Sequence, residues 1–281
     1  MSAYNDYLTQ LRRLLHDSTD QFWTAQEKLD YINDARNRVV RDTGCYRVLQ
    51  PGFIMPGNEV YTFGGVTGFG LTAGGTGYAA GTYALGITGG GGTGATGTYT
   101  VTGGAVTSLA LTAQGSGYTS APAISFPSGG GANAAATAGI LLANTFDIIN
   151  LTVHWGNSRL VLAQLTWSEF NAKARYFINY SGRPTVMSSY GNNSVYIQPI
   201  PDQTYAVEFD TSLSPPVIVD ATTVEVIPFP FQAPVAFYAA YSAKLKEQSW
   251  GEAKAFKEQY TEQVVDALRS SFTRRSRNPY A

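Results

Sequence analysis

Leu71–Tyr78 reads LTAGGTGY, and forty positions on Leu111–Tyr118 reads LTAQGSGY. The match extends: GGVTGFGLTAGGTGY starts at Gly64 and GGAVTSLALTAQGSGY at Gly103. Each is followed by a short β-prone run, Tyr83 to Thr88 or Ala123 to Phe126, and then by a glycine cluster at 89–92 or 129–131. The spacing defines a unit of roughly 38–40 residues present twice. Val, Leu, Ile and Tyr alternate with Thr, Ser and Ala between Gly-x-Gly-Tyr turns, the pattern of short, tightly turned strands. Residues 64–140 therefore predict an inserted, glycine-rich all-β module of two repeats. The other reading of so much glycine is a flexible linker, which the regular apolar positions oppose. Between Glu59 and Asp147 there is no Asp, Glu, Lys, Arg or His, and 23 of the chain's 30 glycines lie between 64 and 140. Such a module suits packing and contact rather than acid–base chemistry. Its predicted surface contacts are Tyr78, Tyr83, Tyr99 and Tyr118, expected to be exposed.

The sequence is β-prone on both sides of the insert, which places it on a loop of a larger domain, where insertion is tolerated. Residues 46–63 and 141–231 predict that antiparallel, sandwich-like β domain. Phe146–Val153 and Leu160–Leu165 read as strands separated by Trp155-Gly156-Asn157-Ser158. Val195–Ile197 and Tyr205–Phe209 alternate at period two around Pro201-Asp202-Gln203 and read as a hairpin. Further out, residues 1–45 and 232–273 predict helices. Tyr4, Leu8, Leu11 and Leu15 fall on one face, with Tyr7 and Leu14 beside them. Thr24-Ala25-Gln26-Glu27 is a capping box, and Gly44 a C-terminal stop. Leu29, Ile32, Ala35 or Arg36, Val39 and Val40 would face inward. Pro234 suits a helix start. A break or restart follows near Ser249–Glu252. Beyond it Phe256, Tyr260, Val264, Leu268 and Phe272 recur every fourth residue, with Val265 alongside. The expected class is α+β, a bundle of N- and C-terminal helices carrying the β domain.

Composition removes several functions. Nineteen basic and 20 acidic residues leave a net charge of −1, without the broad positive field of a non-specific nucleic-acid binder. Cys45 is the only cysteine, excluding an intramolecular disulfide or a multi-cysteine zinc site. No stretch has signal-peptide or membrane-span character, so neither secretion by its own signal nor membrane insertion is expected. Gly92–Gly97 matches G-x-G-x-x-G, but a β-prone run follows it and no acidic residue occurs before Asp147, so a dinucleotide site is not expected. His16 and His154 have no ligand-spaced partners. Glu169, Glu208 and Asp210 are candidate hydrolase carboxylates, with Glu208 and Asp210 on the solvent face of a strand. No cofactor, metal or catalytic residue is expected. After Asp266 the chain has no acidic side chain, while Arg269, Arg274, Arg275 and Arg277 precede Asn278-Pro279-Tyr280-Ala281. This end reads either as a solvated tail or as a docking peptide of paired arginines and a Pro-Tyr anchor.

Three stretches, LRRLLHDSTDQFWTAQEKLDYINDARNRVVRDTGCYR from Leu11, LTWSEFNAKAR from Leu165 with VYIQPIPDQTYAVEFDTSLSPP from Val195, and AFYAAYSAKLKEQSWGEAKAFKEQYTEQVVDALRSSFTRRSRNPY from Ala236, resemble the head-to-tail adaptor (connector, or head-completion) proteins of tailed bacteriophages. The resemblance covers about residues 1–60 and 145–281. It implies a non-enzymatic virion protein at the portal vertex, made in the host cytoplasm. Subunits would form a ring, expected to be a dodecamer, that joins portal protein to tail nozzle, tube or fibre proteins and helps retain packaged DNA. The DNA would pass through the channel without sequence-specific binding. Carried over, residues 274–281 form a docking arm, with Phe272, Arg274, Arg275, Arg277, Pro279 and Tyr280 gripping the portal. The insert's Gly115-Ser116-Gly117-Tyr118-Thr119-Ser120-Ala121-Pro122 is similar to repeats in phage fibre and virion surface proteins. Two rivals remain: a carbohydrate- or receptor-binding tail or fibre module using the insert's tyrosines, and a cell-wall hydrolase using the carboxylates.

Overall fold

Local chemistry fixes the helices. Helix α1 (Ala3–Leu15) buries Tyr7, Leu8, Leu11 and Leu15. Helix α2 (Ala25–Thr43) opens on Thr24, whose hydroxyl accepts from the Glu27 N–H while the Glu27 carboxylate accepts from the Thr24 N–H. It ends where Gly44 turns left-handed at φ 61° and donates to the Val40 carbonyl. Pro234 sits in the first turn of α3 (Ala233–Lys246). The helix restarts as α4 (Trp250–Ser271), and Lys244 reaches across the break to both Glu247 and Glu252. In α4 the buried positions run Ala253, Tyr260, Val264 and Ala267, while Val265 lies outside the stripe it was expected to join.

The computed structural model describes residues 3–176, 179–191 and 193–271. The chain is α+β and divides into two compact units, residues 1–47 with 213–281 and residues 48–212. In the helical unit α1, α2 and α4 each pack on α3.

The loop between α1 and α2 is held by buried charge. Lys28, wholly buried, donates to the Asp17 carbonyl and carboxylate at 2.9 Å each, and to Asp20 at 2.6 Å. Asp17 also accepts from the N–H groups of Gln21, Phe22 and Trp23. Burial alone would raise the Asp17 carboxyl, but Lys28 and these N–H donors outweigh it and bring it down to about 2. The Arg12 hydrogen bond, above all, and Lys28 hold Asp20 below the usual carboxylate range against its own desolvation. A carboxyl depressed in the folded chain contributes stability above its unfolded value, near pH 4, and loses it as pH falls towards 2. Asp17→Asn is therefore expected to be less stable at neutral pH and to vary less in unfolding free energy between about pH 4 and about pH 2. Denaturant unfolding across that window checks it, and parallel pH profiles for variant and parent would refute the assignment.

In the second unit β1 (Arg47–Ile54) and β2 (Val60–Thr62) lead into the uncharged segment. There follow β3 (Val66–Thr76), β4 (Gly81–Ala84), β5 (Gly86–Thr88), β6 (Thr93–Thr102), β7 (Ala105–Ser116), β8 (Ala123–Ser125) and β9 (Ala132–Ile140). The repeated phrases are β3 and β7, and neither closes on its own copy. Strand β3 pairs with β9, the last strand of the second copy, while β7 pairs with β6, the last of the first. Between them β5 pairs with β8. The exchange is reciprocal in detail. One residue is skipped in the register at Thr72 and another at Thr112, the Tyr78 N–H donates to Gly104, and the Tyr118 N–H donates to Gly64.

The copies differ where Gly74 faces Gln114 in the alignment. A Cβ at Gly74 would lie 2.8 Å from the Val106 carbonyl. The Gln114 side chain instead accepts from the Thr62 N–H and hydroxyl and donates to the Val60 carbonyl, tying the module to β2.

Strands β10 (Thr145–Trp155) and β11 (Ser158–Val161) form a hairpin over Gly156-Asn157. After them come β12 (Ala163–Gln164), β13 (Ser181–Gly182), β14 (Val186–Tyr190), β15 (Ser194–Gln198), β16 (Ile200–Pro201) and β17 (Tyr205–Leu213). Two four-stranded sheets, β1-β17-β10-β11 and β12-β14-β15-β2, contribute Ile148, Leu151, Phe209, Met187 and Ile197 to one core. The pairings β12–β14 and β13–β16 are parallel, a departure from an all-antiparallel domain.

The hairpin expected between Val195–Ile197 and Tyr205–Phe209 does not form. Strand β15 pairs with β14 and β2, whereas β17 lies in the other sheet. Pro199 and Pro201 follow β15 directly and have no N–H with which to continue a ladder. The boundary at 231 also moves, because residues 213–231 belong with the helices.

Candidate functional site

The reason for that shift is buried in α2. Asn33 donates to the Ile218 carbonyl at 3.0 Å and accepts from the Ile218 N–H at 2.9 Å. Arg36, 1% exposed, donates to both Glu225 oxygens at 3.0 and 2.8 Å, and to the Pro216 carbonyl at 2.6 Å. Glu225 in turn accepts from the Val226 and Ile227 N–H groups. At the loop tip Asp220 accepts from Thr222 and Thr223, which holds its carboxyl below the usual range. Residues 216–227 are thus pinned at several points by polar groups pointing inward.

Ile218 and Ile227 are buried with them, but the loop's other large apolar side chains point the other way. Val217, Val219, Val224 and Phe229 are exposed, Phe229 to 85%. The loop held by Asp17 and Lys28 likewise carries Phe22 at 82% exposure beside buried Trp23. Val224 and Phe229 border a groove of about 760 Å³ whose opposite side is α1, with Asp6, Gln10 and Arg13. At its wall burial pushes the Tyr7 hydroxyl far above its usual range, with the neighbouring Glu225 carboxylate adding to the effect. Apolar groups held outward by buried ionic clamps form a surface prepared for contact with another macromolecule.

The tyrosines expected on the insert's surface are mostly inside. Tyr78, Tyr99 and Tyr118 are buried, and Tyr83 is half-buried. Glycine placement is the cause: a Cβ on Gly131 would lie 2.2 Å from the Tyr78 ring, and one on Gly92 2.5 Å from the Tyr118 ring. Each ring lies on the other copy's glycine cluster. Tyr99 exchanges hydrogen bonds with the Ser128 backbone and meets Phe126 edge-on at 5.0 Å.

Phe272, Arg274, Arg275, Arg277, Pro279 and Tyr280 lie outside the described residues. Glu208 is engaged at the surface by Arg159 at 3.3 Å and His154 at 3.5 Å, and Glu169 lies in a helical turn capped by Thr166, whose hydroxyl donates to its carboxylate. Asp210 takes a hydrogen bond from Asn150. Among the described residues no group of three or more His, Cys, Asp or Glu is placed to hold a metal ion, and no helix is long and apolar enough to cross a membrane.

The outward apolar loops were missed in the sequence, though Val217, Val219 and Val224 stand in a proline-flanked stretch with little periodicity to bury them. No curated protein matches the chain. A family model described as the SU10 adaptor protein matches residues 2–280, spanning the helices, the strands and the uncharged module. With the match covering nearly its whole length, the chain belongs to the SU10 adaptor protein family, a family of structural phage proteins.

Proposed function

We propose that the protein is a non-enzymatic ring adaptor at the portal vertex, joining portal to tail and helping to retain packaged DNA. The observation that carries this reading is the clamped loop Pro216–Phe229, whose Val217, Val219, Val224 and Phe229 face outward and give each subunit a rigid contact surface. In this reading the four helices work as one bundle in the ring wall, and twelve copies close around a channel. A net charge of −1 lets DNA slide past without being gripped. The arm, with Phe272, Arg274, Arg275, Arg277, Pro279 and Tyr280, docks on portal protein through arginine–carboxylate pairs and an aromatic anchor. The insert faces tail or fibre proteins. A glycan-binding role for it is weakened by the burial of Tyr78, Tyr99 and Tyr118, which removes the stacking surface such a role needs.

Native mass spectrometry of the full chain with and without purified portal protein tests the reading. The expected result is a monomer alone and a ring with portal, with truncation after Ser271 abolishing the association. Portal binding undiminished by the truncation, or self-assembly into a trimer that ignores portal, would overturn it.

A further inference from the structure

In the β unit a cleft of about 820 Å³ is bordered by Leu165, the end of a π-helical turn (Phe170–Ala174), Tyr180–Val186 and the Gln198-Pro199 corner. Leu165, Val186 and Pro199 make much of its lining apolar. Its charged side chains are Lys173 and Arg183, both cationic, and no carboxylate lines it.

The turn is built to bring Lys173 and Ala174 to this edge. The Arg175 N–H reaches back five residues to the Phe170 carbonyl, the widened geometry that collects at functional sites. Phe170 is buried and anchored by Trp167 and Tyr196. The Arg175 guanidinium lies over Trp167 and Tyr196 at 5.6 and 5.4 Å and donates to Glu59. Glu59 is thereby neutralised, and it also accepts from the Gln198 amide N–H at 3.0 Å.

Gln198 is 3% exposed, its amide nitrogen is committed to Glu59, and its carbonyl oxygen has no hydrogen-bond partner among the described residues. A buried acceptor in that state carries an uncompensated desolvation cost. The cations are also available. Lys173 has only a long 3.7 Å contact with exposed Glu169, a pair of little energetic weight. Arg183 stacks over Trp155 at 5.3 Å and has no ion pair among the described residues.

Apolar surface and two unshielded positive charges describe one kind of ligand. We propose that this cleft docks an acidic segment of a partner polypeptide that also carries apolar side chains. Lys173 and Arg183 pair its carboxylates, and Leu165, Val186 and Pro199 take its apolar side chains. Charge complementarity selects the occupant. A nucleic acid would present a row of phosphates to two cations only, and tight binding of that kind needs many such contacts. The proposal does not depend on the portal-docking role of the C-terminal arm.

Fluorescence anisotropy on the full chain tests it, using a labelled synthetic peptide of glutamate–leucine repeats, a matching lysine–leucine peptide and a single-stranded oligonucleotide. The glutamate–leucine peptide is expected to bind at least about tenfold tighter than the lysine–leucine peptide, and to weaken as salt rises from about 50 to about 500 mM. Lys173→Glu with Arg183→Glu, both at exposed positions, should leave the fold intact by circular dichroism and reverse the preference between the two peptides. Equal or absent binding of the peptides, an unreversed preference in the double variant, or tighter binding of the oligonucleotide would overturn the proposal.

Discussion

Glu225→Ala is expected to destabilise the helical unit by about 3–5 kcal/mol, because it leaves a buried guanidinium without its counter-charge. Arg36 is 1% exposed and gives two of its hydrogen bonds to Glu225, so the variant keeps the charge and removes its main acceptor. Two further donors, the N–H groups of Val226 and Ile227, lose the same carboxylate. Replacing both partners by apolar residues, Arg36→Met with Glu225→Leu, should recover much of the loss, since no desolvated charge then remains. Urea unfolding should show a lower midpoint at unchanged slope for the single variant. A loss below about 1 kcal/mol, or a double variant as unstable as the single one, would mean that the pair is not the clamp described. In the adaptor reading the consequence is functional as well. The pair holds the loop that carries Val224 and Phe229, so assembly should fail at temperatures where the helices are still folded.

That clamp also marks where the sequence stops being legible. The capping box at Thr24 and the stop at Gly44 are written within a few residues, and both form. The inward stripe of α2 could be placed only to the choice of Ala35 or Arg36, and both prove buried, since the arginine has a partner 189 positions away that no local pattern announces. The same limit explains the hairpin that does not form. Val195–Ile197 and Tyr205–Phe209 each alternate as strands should, but period two identifies a strand without naming its partner. The uncharged module divides in the same way. Its repeat could be read by inspection, whereas the exchange of last strands between copies is a non-local choice. With that exchange Tyr78 and Tyr118 turn from surface contacts into core.

The exchange predicts that Gly75→Ala and Gly115→Ala, at equivalent places in the two copies, should cost nearly the same. Both glycines are left-handed, at φ 66° and 64°. A Cβ at Gly75 would lie 2.4 Å from the Ala132 carbonyl oxygen, and one at Gly115 2.4 Å from the Thr93 carbonyl oxygen and the Ala95 nitrogen. These neighbours are backbone atoms of the paired strand, so relief requires β9 or β6 to move away and give up ladder hydrogen bonds. The left-handed conformation contributes about 1–2 kcal/mol and the overpacking about 1–3 kcal/mol more. Gly89→Ala separates the two contributions, because at φ 78° with nothing within 4 Å it should show only the first. Hydrogen exchange across residues 64–140 is the measurement, with lost protection expected on both sides of the affected pairing. If Gly75→Ala and Gly115→Ala were no worse than Gly89→Ala, close strand approach would not be why glycine stands there. If only one of them were damaging, the two halves would not be equivalent. Equal and larger losses at both would tie the phrase to its cause, since each copy needs a residue without a Cβ where the other copy's last strand crosses it, and a tyrosine to close over the other copy's glycines.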